Sequence, residues 1–582
     1  MPGPLLRSLA LAVLLPLAAS AAGDRVENFA LLDEQGRFHE LYYHSDAEAI
    51  VLFVQGNGCP IARNAFPILH ELRRELPDVV FLGLNANPQD DRQSVAAEVR
   101  EYGIEIPILI DETQLVAEAL GVTRTAEALL IDPEGWRIVY RGPVDDRLSY
   151  GTQRPATRHY LREALEAHRD GRPVEKPVRD PRGCLLFLPD ADPAGHAEIS
   201  YAEEVAPILA RRCQACHRSG GVAPWAMTRY EMVRGWSPMM REMIRTRRMP
   251  PWHADPRFGR FANDLSLTDE EKKTLVHWIE AGAPRGEGPD PLKEAPPPPP
   301  AEWALGEPDL VLELPAQEIP ATGVVPYRYE EVEIPLEEDV WIRAVEIQPS
   351  NTRAMHHGTA NILLPRGHER PRVEGPNFVR GLFAGYVPGR NPEPLPEGTG
   401  FFLPAGSRLR FQLHYNTTGR EETDQPRMAL YFSREPLAHE LKIGAAGSFR
   451  FRIPPRRKDH PEVAEEIIDR DIVVYRLTPH MHFRGKAMRY EAHYPDGSAE
   501  VLLSVPRYDF NWQRQYVLEE PKVLPAGTRL VCHAVFDNSK QNPANPDPQA
   551  SVEFGEQSWD EMLFGYFLYR DLEEGLALAD PP

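Results

Sequence analysis

Five consecutive prolines, Pro296 to Pro300, divide this chain. Proline fixes φ at about −65° and carries no backbone N–H, so the run enters neither a helix nor a sheet ladder. It takes a stiff, extended polyproline conformation instead. The stretch 285–303 around it reads as a linker between parts that fold separately.

On its N-terminal side two regimes follow one another. Within 24–185, apolar runs alternate with helical patterns: Ala49 to Val54, Val79 to Leu84, Ile106 to Ile110 and Ala128 to Ile131 as strands, and Phe66 to Glu75 as a helix. Such alternation predicts an α/β domain. Within 196–284, Ala202 to Arg212, Ser237 to Arg247 and Thr268 to Ala281 show apolar residues at helical spacing, predicting a small all-α domain. Beyond the linker, runs such as Val340 to Ile347, Arg408 to Tyr415 and Val473 to Leu477 are β-branched or aromatic, with Pro and Gly between them. They predict all-β sandwich domains over 304–445 and 446–575. A length of 582 residues suits such a multidomain chain.

The N-terminus has the pattern of a secretory signal over 1–22. Arg7 precedes the apolar run Leu9 to Ala19, and Ala19-Ser20-Ala21 is a small-residue cleavage site. The run is too short to span a bilayer, and no later segment is apolar for long enough, so no integral span is expected after cleavage. A periplasmic or secreted protein follows. The net charge of −22 argues against nucleic acid and anionic lipid surfaces as partners.

Cys213-Gln-Ala-Cys216-His217 is a C-x-x-C-H motif. Its thiols add to haem vinyl groups and its imidazole becomes an axial ligand of a covalently attached c-type haem. The segment resembles small c-type cytochrome modules, and that resemblance favours Met249 as the second ligand of the haem iron. Met239, Met240, Met243 and His253 compete with it.

Four His/Met clusters lie in the β-rich region: His356-His357, His414, His480-Met481-His482 and Met562. Imidazole with a soft thioether suits copper. On a strand, His480 and His482 point to one face. His356 and His357 are neighbours, so binding one ion with both requires a bulge or a strand end.

Residues 305–575 resemble the copper type II, ascorbate-dependent monooxygenases, the family of peptidylglycine hydroxylating monooxygenase and dopamine β-monooxygenase. The carrying motifs are His356-His357 before Asn361-Ile-Leu-Leu364, Leu413-His414-Tyr415, His480-Met481-His482 before Gly485-Lys486, and Asp560-Glu561-Met562 before Tyr566. The resemblance implies two jelly-roll-like domains facing each other across a solvent-filled cleft. It implies one copper on His356, His357 and His414 that passes electrons. A second, on His480, His482 and Met562, would activate dioxygen, with Tyr566 retained beside it. Thr478 stands where the peptide-processing members use an Arg for a substrate carboxylate, and Phe564 stands where they have an Asn.

Val51 to Arg63 ends a strand and opens a helix at Cys59, where a helix N-terminus stabilises a thiolate. The segment 25–170 resembles the thioredoxin-like, peroxiredoxin-related redoxin fold. Ala62 replaces the second Cys of a C-x-x-C pair, Gly56 replaces the peroxiredoxin Thr, and Ala126 stands at the cis-proline position. Cys184 is a pairing partner open to Cys59, catalytically or structurally.

These readings combine into an exported copper-dependent monooxygenase that hydroxylates a C–H bond with O2. Its substrate would be a small molecule or peptide. Its electrons would be relayed through the haem from a redox donor such as a cytochrome or quinol chain, with ascorbate as another possible reductant. The competing expectations are a non-enzymatic electron-transfer or copper-binding protein, and a thiol peroxidase using Cys59.

Overall fold

The structure is a computed structural model and describes residues 25–147, 155–294, 302–365, 381–388, 392–435 and 437–573. The expected signal segment and the proline run lie outside these residues. Contacts divide the chain into two compact units: 1–205 with 236–248 and 267–288, and 206–235 with 249–266 and 289–582. The helical region expected as a separate domain is thus shared between the units, and both β regions group in the second.

The first unit is built on a seven-stranded sheet. Its strands are β1 (Ala30–Asp33), β2 (Phe38–Glu40), β3 (Ala49–Gln55), β4 (Val79–Asn85), β5 (Ile108–Ile110), β6 (Ala128–Asp132) and β7 (Arg137–Gly142). Their order is β2-β1-β5-β4-β3-β6-β7. β3 runs parallel to β4, and β4 to β5. The outer pairs are antiparallel.

Every residue of β3 is buried, because both faces of the sheet are covered. Val51 and Phe53 pack with Phe66 and Leu69 of α1 (Pro60–Glu75). Leu52 and Val54 pack on the opposite face with Val116 and Leu120, separated from α1 by α2 (Arg92–Tyr102) in sequence. Those two residues belong to α3 (Leu115–Leu120). This is a thioredoxin-like α/β domain. The helix expected from Phe66 begins six residues earlier, at Pro60, whose fixed φ suits a first helical position.

The helical region contains Tyr201–Val205 continuing into Ala206–Arg212, then Tyr230–Arg245 and Asp269–Glu280. Thr268 and Glu271 form a capping box at the start of the last of these. The helix expected from Ser237 starts at Tyr230 instead, where the Asp290 carboxylate accepts the Tyr230 N–H at 2.7 Å. That cap comes from sixty residues away, beyond the reach of local periodicity.

The second unit carries several antiparallel sheets. The strands Arg328–Glu333, Arg408–Tyr415, Met355–Leu363 and Leu382–Tyr386 form one four-stranded sheet, in that order. A five-stranded sheet that includes Val340–Gln348 and Arg427–Phe432 accompanies it. Further along, Lys442–Ser448, Leu563–Asp571, Ile472–His480 and Tyr516–Leu524 form a second four-stranded sheet. His460–Ile467, Arg529–Phe536, Gly485–His493 and Ala499–Val505 form a third. Leu477, Tyr490, Cys532 and Phe536 belong to the core between these last two. No helix among the described residues is long and apolar enough to cross a membrane.

Candidate functional site

Cys59 is the N-cap of α1, at the end of the turn that leaves β3. Its Sγ lies 3.0 Å from Thr125 Oγ1. It lies 3.2 Å from Sγ of Cys184. Burial opposes the thiolate, but contacts from Thr125, the Ala62 backbone and Cys184 outweigh it and hold the Cys59 thiol below its ordinary value. Arg63 and Glu98 pair at 2.7 Å, and the same carboxylate accepts the Gly58 N–H. Ala126 has φ 58, in the left-handed region, and its N–H donates to Val54 O at 2.7 Å. Thr125 is the functional neighbour that sequence reasoning passed over. It sits beside the Ala126 position already singled out, and only folding brings it to Cys59.

The C-x-x-C-H motif continues as turns from the helix that ends at Arg212. The N–H of His217 donates to Cys213 O at 2.9 Å. His217 Nδ1 lies 3.1 Å from the carbonyl oxygen of Trp225. A carbonyl only accepts, so Nδ1 carries the proton and the Nε2 lone pair is left for a metal. Burial pushes this imidazole below its usual pKa, keeping it neutral. Cys216 lies within hydrogen-bonding reach of Arg514. Arg514 Nε also donates to Pro251 O at 3.1 Å, tying the motif to the segment that follows Met249. His253 Nε2 accepts from Arg507 at 3.0 Å. Met239, Met240 and Met243 lie on the part of their helix that groups with the first unit. His217 therefore fits the haem expected here, since its tautomer would leave Nε2 to hold the iron.

The strand Met355–Leu363 carries the irregularity that its paired histidines require. Its register against Arg408–Tyr415 shifts between Met355 and His357, and His357 then stands opposite His414. The bulge brings three rings together: His356 and His357 each lie 5.0 Å from His414, centroid to centroid. One ligand nitrogen from each can be chosen so that all lie within 4.8 Å of one another. Burial holds His356 at about 4 and His414 at about 3, and pushes His357 well down, so all three are neutral. Nδ1 of His414 is buried and has no hydrogen-bond partner. Nδ1 of His356 lies 3.1 Å from Nδ1 of His357, and its Nε2 is buried without a well-formed hydrogen bond.

His480 and His482 do not share a strand as expected, because the strand Ile472–His480 ends at His480. A tight turn carries His482 instead, and the rings lie 5.3 Å apart at 89°. Glu561 holds that turn. Its carboxylate accepts the N–H groups of His482 at 2.8 Å and Arg484 at 2.6 Å. It also accepts from Met562 at 3.2 Å. Both ring nitrogens of His482 are buried near the backbone of Gln557 and Asp560 but make no well-formed hydrogen bond. His480 Nδ1 lies 2.7 Å from Oε1 of Gln513, which leaves Nε2 for a metal. Glu561 lay inside a motif already noted, but its role needs three backbone N–H groups that only the fold assembles.

His480 pairs with Phe564 across the sheet, which places Met562 beside the His482 turn. His357, His480, His482, Met562 and Tyr566 line one cavity of about 590 Å³. Thr478 and Arg476 line it too, so a guanidinium remains one strand repeat away from the position where Thr478 replaces an Arg. Phe510 contacts both histidine sets, 4.8 Å from His356 and 5.9 Å from His482, while His357 and His480 still face the shared cavity. Neutral, buried imidazoles with unsatisfied nitrogens and a nearby thioether form a donor set that fits copper.

Residues 22–142 match the AhpC/TSA family. The N-terminal domain is an AhpC/TSA-type, thioredoxin-like redoxin domain. The chain is 29% identical over 116 residues to the thiol-disulfide oxidoreductase ResA of Halalkalibacterium halodurans, covering 20% of this chain and 64% of that protein. It therefore spans less than two thirds of this curated relative. Among solved structures, a hypothetical protein of Sinorhizobium meliloti 1021 is 29% identical, over 29% of this chain and 94% of the other, with TM-score 0.26. Peroxidoxin BcpB of Mycobacterium tuberculosis is 19% identical, over 26% of this chain and 98% of the other, with TM-score 0.21. The redoxin domain departs from a C-x-x-C pattern at Ala62, and the sulfur beside Cys59 comes from Cys184 instead.

Proposed function

We propose that this protein is an exported oxidoreductase whose second unit is a copper-dependent monooxygenase module fed with electrons through a covalently attached c-type haem. The observation that carries the reading is the meeting of His357, His480, His482 and Met562 on one cavity. The His356–His357–His414 triad supports it. Copper bound there would supply the electron storage and dioxygen activation for R–H + O2 + 2e⁻ + 2H⁺ → R–OH + H2O.

The chain's own residues prepare that site. The bulge at Met355–His357 aims neighbouring imidazoles at one point. Glu561 fixes the His482 turn next to Met562. Gln513 sets the tautomer of His480. A cavity of about 590 Å³ beside Met562 has room for a small organic substrate, which favours an enzyme over a closed copper carrier. Arg476 on its wall would draw an anionic group toward the reacting end.

His217 and the thiols of Cys213 and Cys216 would hold the haem, with Met249 as second ligand. Arg514 reaches Cys216 while its neighbour Gln513 contacts His480. This short segment gives a route between the two sites made of one hydrogen bond at each end and the Gln513–Arg514 backbone between them. Electrons would enter from a cytochrome, a quinol chain or ascorbate. The redoxin domain supports a redox role for the chain as a whole.

The test is metal content and reductant-driven oxygen uptake of protein matured with haem in a periplasm, comparing wild type with Met562→Ala and His414→Ala. Two coppers per haem, with uptake lost in Met562→Ala, is the expected result. Protein that binds no copper overturns the reading.

A further inference from the structure

The strongest feature outside the histidine cavity is the sulfur pair of the redoxin domain. We propose that Cys59 and Cys184 form a thiol–disulfide couple that exchanges with an external dithiol, and that Cys184 is the sulfur the partner attacks. The site stands apart from the copper reading and does not depend on it.

The pair is seated by structure built for the purpose of holding residues 183–188. The N–H of Thr125 donates to Cys184 O at 2.9 Å. The N–H of Cys184 donates to Thr125 Oγ1 at 2.9 Å. Leu186 N–H donates to Thr123 O at 2.9 Å. Arg124 reaches Gly183 O at 2.9 Å and Gln114 reaches Phe187 O at 2.8 Å. The strand-like alternation turns Cys184, Leu186 and Leu188 toward the core, while Leu185 and Phe187 stand 70% and 66% exposed. A Cβ on Gly183 would lie 1.8 Å from Thr125 O, so the approach requires a glycine there. The sulfurs stand 3.2 Å apart, and closing them to a bond of about 2.05 Å needs only a small side-chain movement.

Exposure sets the order of events. Cys59 is 3% exposed, whereas Cys184 is only half-buried and so the more accessible of the two residues. In a C-x-x-C helix start the N-cap cysteine is the outer one, and here that polarity is reversed. In the oxidised pair, a partner thiolate attacks Sγ of Cys184 and the S–S bond breaks. The electron pair leaves on Sγ of Cys59. Thr125 Oγ1 already accepts from Cys184 N–H, so its own proton is available to that sulfur. The helix N-terminus adds to this stabilisation, and a stabilised thiolate is a faster leaving group. The partner's second thiol then attacks the partner sulfur of the mixed disulfide and releases Cys184. Two electrons and two protons pass from the partner, which leaves as a disulfide. The reverse sequence reduces a partner disulfide.

The test uses the full-length, haem-matured protein equilibrated with graded ratios of reduced and oxidised dithiothreitol, acid-quenched and analysed by peptide mass spectrometry. A peptide linked through Cys59 and Cys184 should appear and vanish in a single two-electron step. With glutathione disulfide as probe, Cys59→Ser should accumulate an adduct on Cys184, and Cys184→Ser should show none on Cys59. In reduced wild type, iodoacetamide should modify Cys184 about tenfold faster than Cys59, because access limits the buried sulfur. This last arm needs no variant to fold. Absence of the linked peptide at every ratio, or modification of Cys59 before Cys184, overturns the proposal.

Discussion

Nδ1 of His480 and Oε1 of Gln513 lie 2.7 Å apart, and the residue after Gln513 is the arginine that reaches Cys216. The hydrogen bond decides which nitrogen of His480 is left for a metal, and a ligand held this way loses affinity when its partner is removed. Gln513→Ala should therefore weaken copper at the His480–His482–Met562 set by about 10- to 100-fold while sparing the triad. Titration of metal-free protein with Cu(I) against a competing chelator reads the two sites separately.

Arg514 brings a positive charge to the thiol that would carry the haem. Removing a cation beside a redox centre favours its more positive, oxidised state. Arg514→Met should lower the haem midpoint potential in a spectroelectrochemical titration, with the absorption bands of axial ligation unchanged.

Glu561 is fully buried and accepts three backbone N–H groups. Burial pushes its carboxyl up to about 8. Glu561→Ala should destabilise the second unit by at least about 3 kcal/mol, the cost of stranding three buried N–H donors at about 1–3 kcal/mol each. Urea unfolding followed by hydrogen exchange in the strands Ile472–His480 and Leu563–Asp571 measures it.

Asp111 accepts the N–H groups of Val116 and Ala117 at the start of α3. Burial pushes its carboxyl up to about 7. An unfolded Asp titrates at about 3.9, so the unfolded chain releases its proton first. The contribution is complete below about pH 4 and is lost as pH rises to about 7. Asp111→Asn should remove that slope, at most about 4 kcal/mol across the window, from urea unfolding of the redoxin domain.

Gly183→Ala should push residues 183–188 off Thr125, because the added carbon meets a backbone oxygen that cannot yield. The yield of the Cys59–Cys184 disulfide at a fixed dithiothreitol ratio should fall, while the triad still binds copper. Retention of full disulfide yield would contradict the seating described above.

The sequence by itself determined the chemistry-bearing residue types and their order. A C-x-x-C-H motif, a cysteine at a strand-to-helix turn and four His/Met clusters are local patterns, and so are the apolar runs that became β3, β4 and β6. The need for a bulge at His356-His357 was also legible, because side chains on a strand alternate faces. Tertiary structure decided what these residues meet. Cys184 reaches Cys59 across 125 residues, and Glu561 reaches the His482 backbone across 79. Phe510 contacts both histidine sets from a loop with no distinguishing pattern. The end of a strand at His480 also escaped periodicity, because a carboxylate remote in sequence satisfies the turn's N–H groups. Local spacing encodes which face a side chain takes. Which distant group occupies that face is settled only when buried polar atoms must find partners and apolar faces must close.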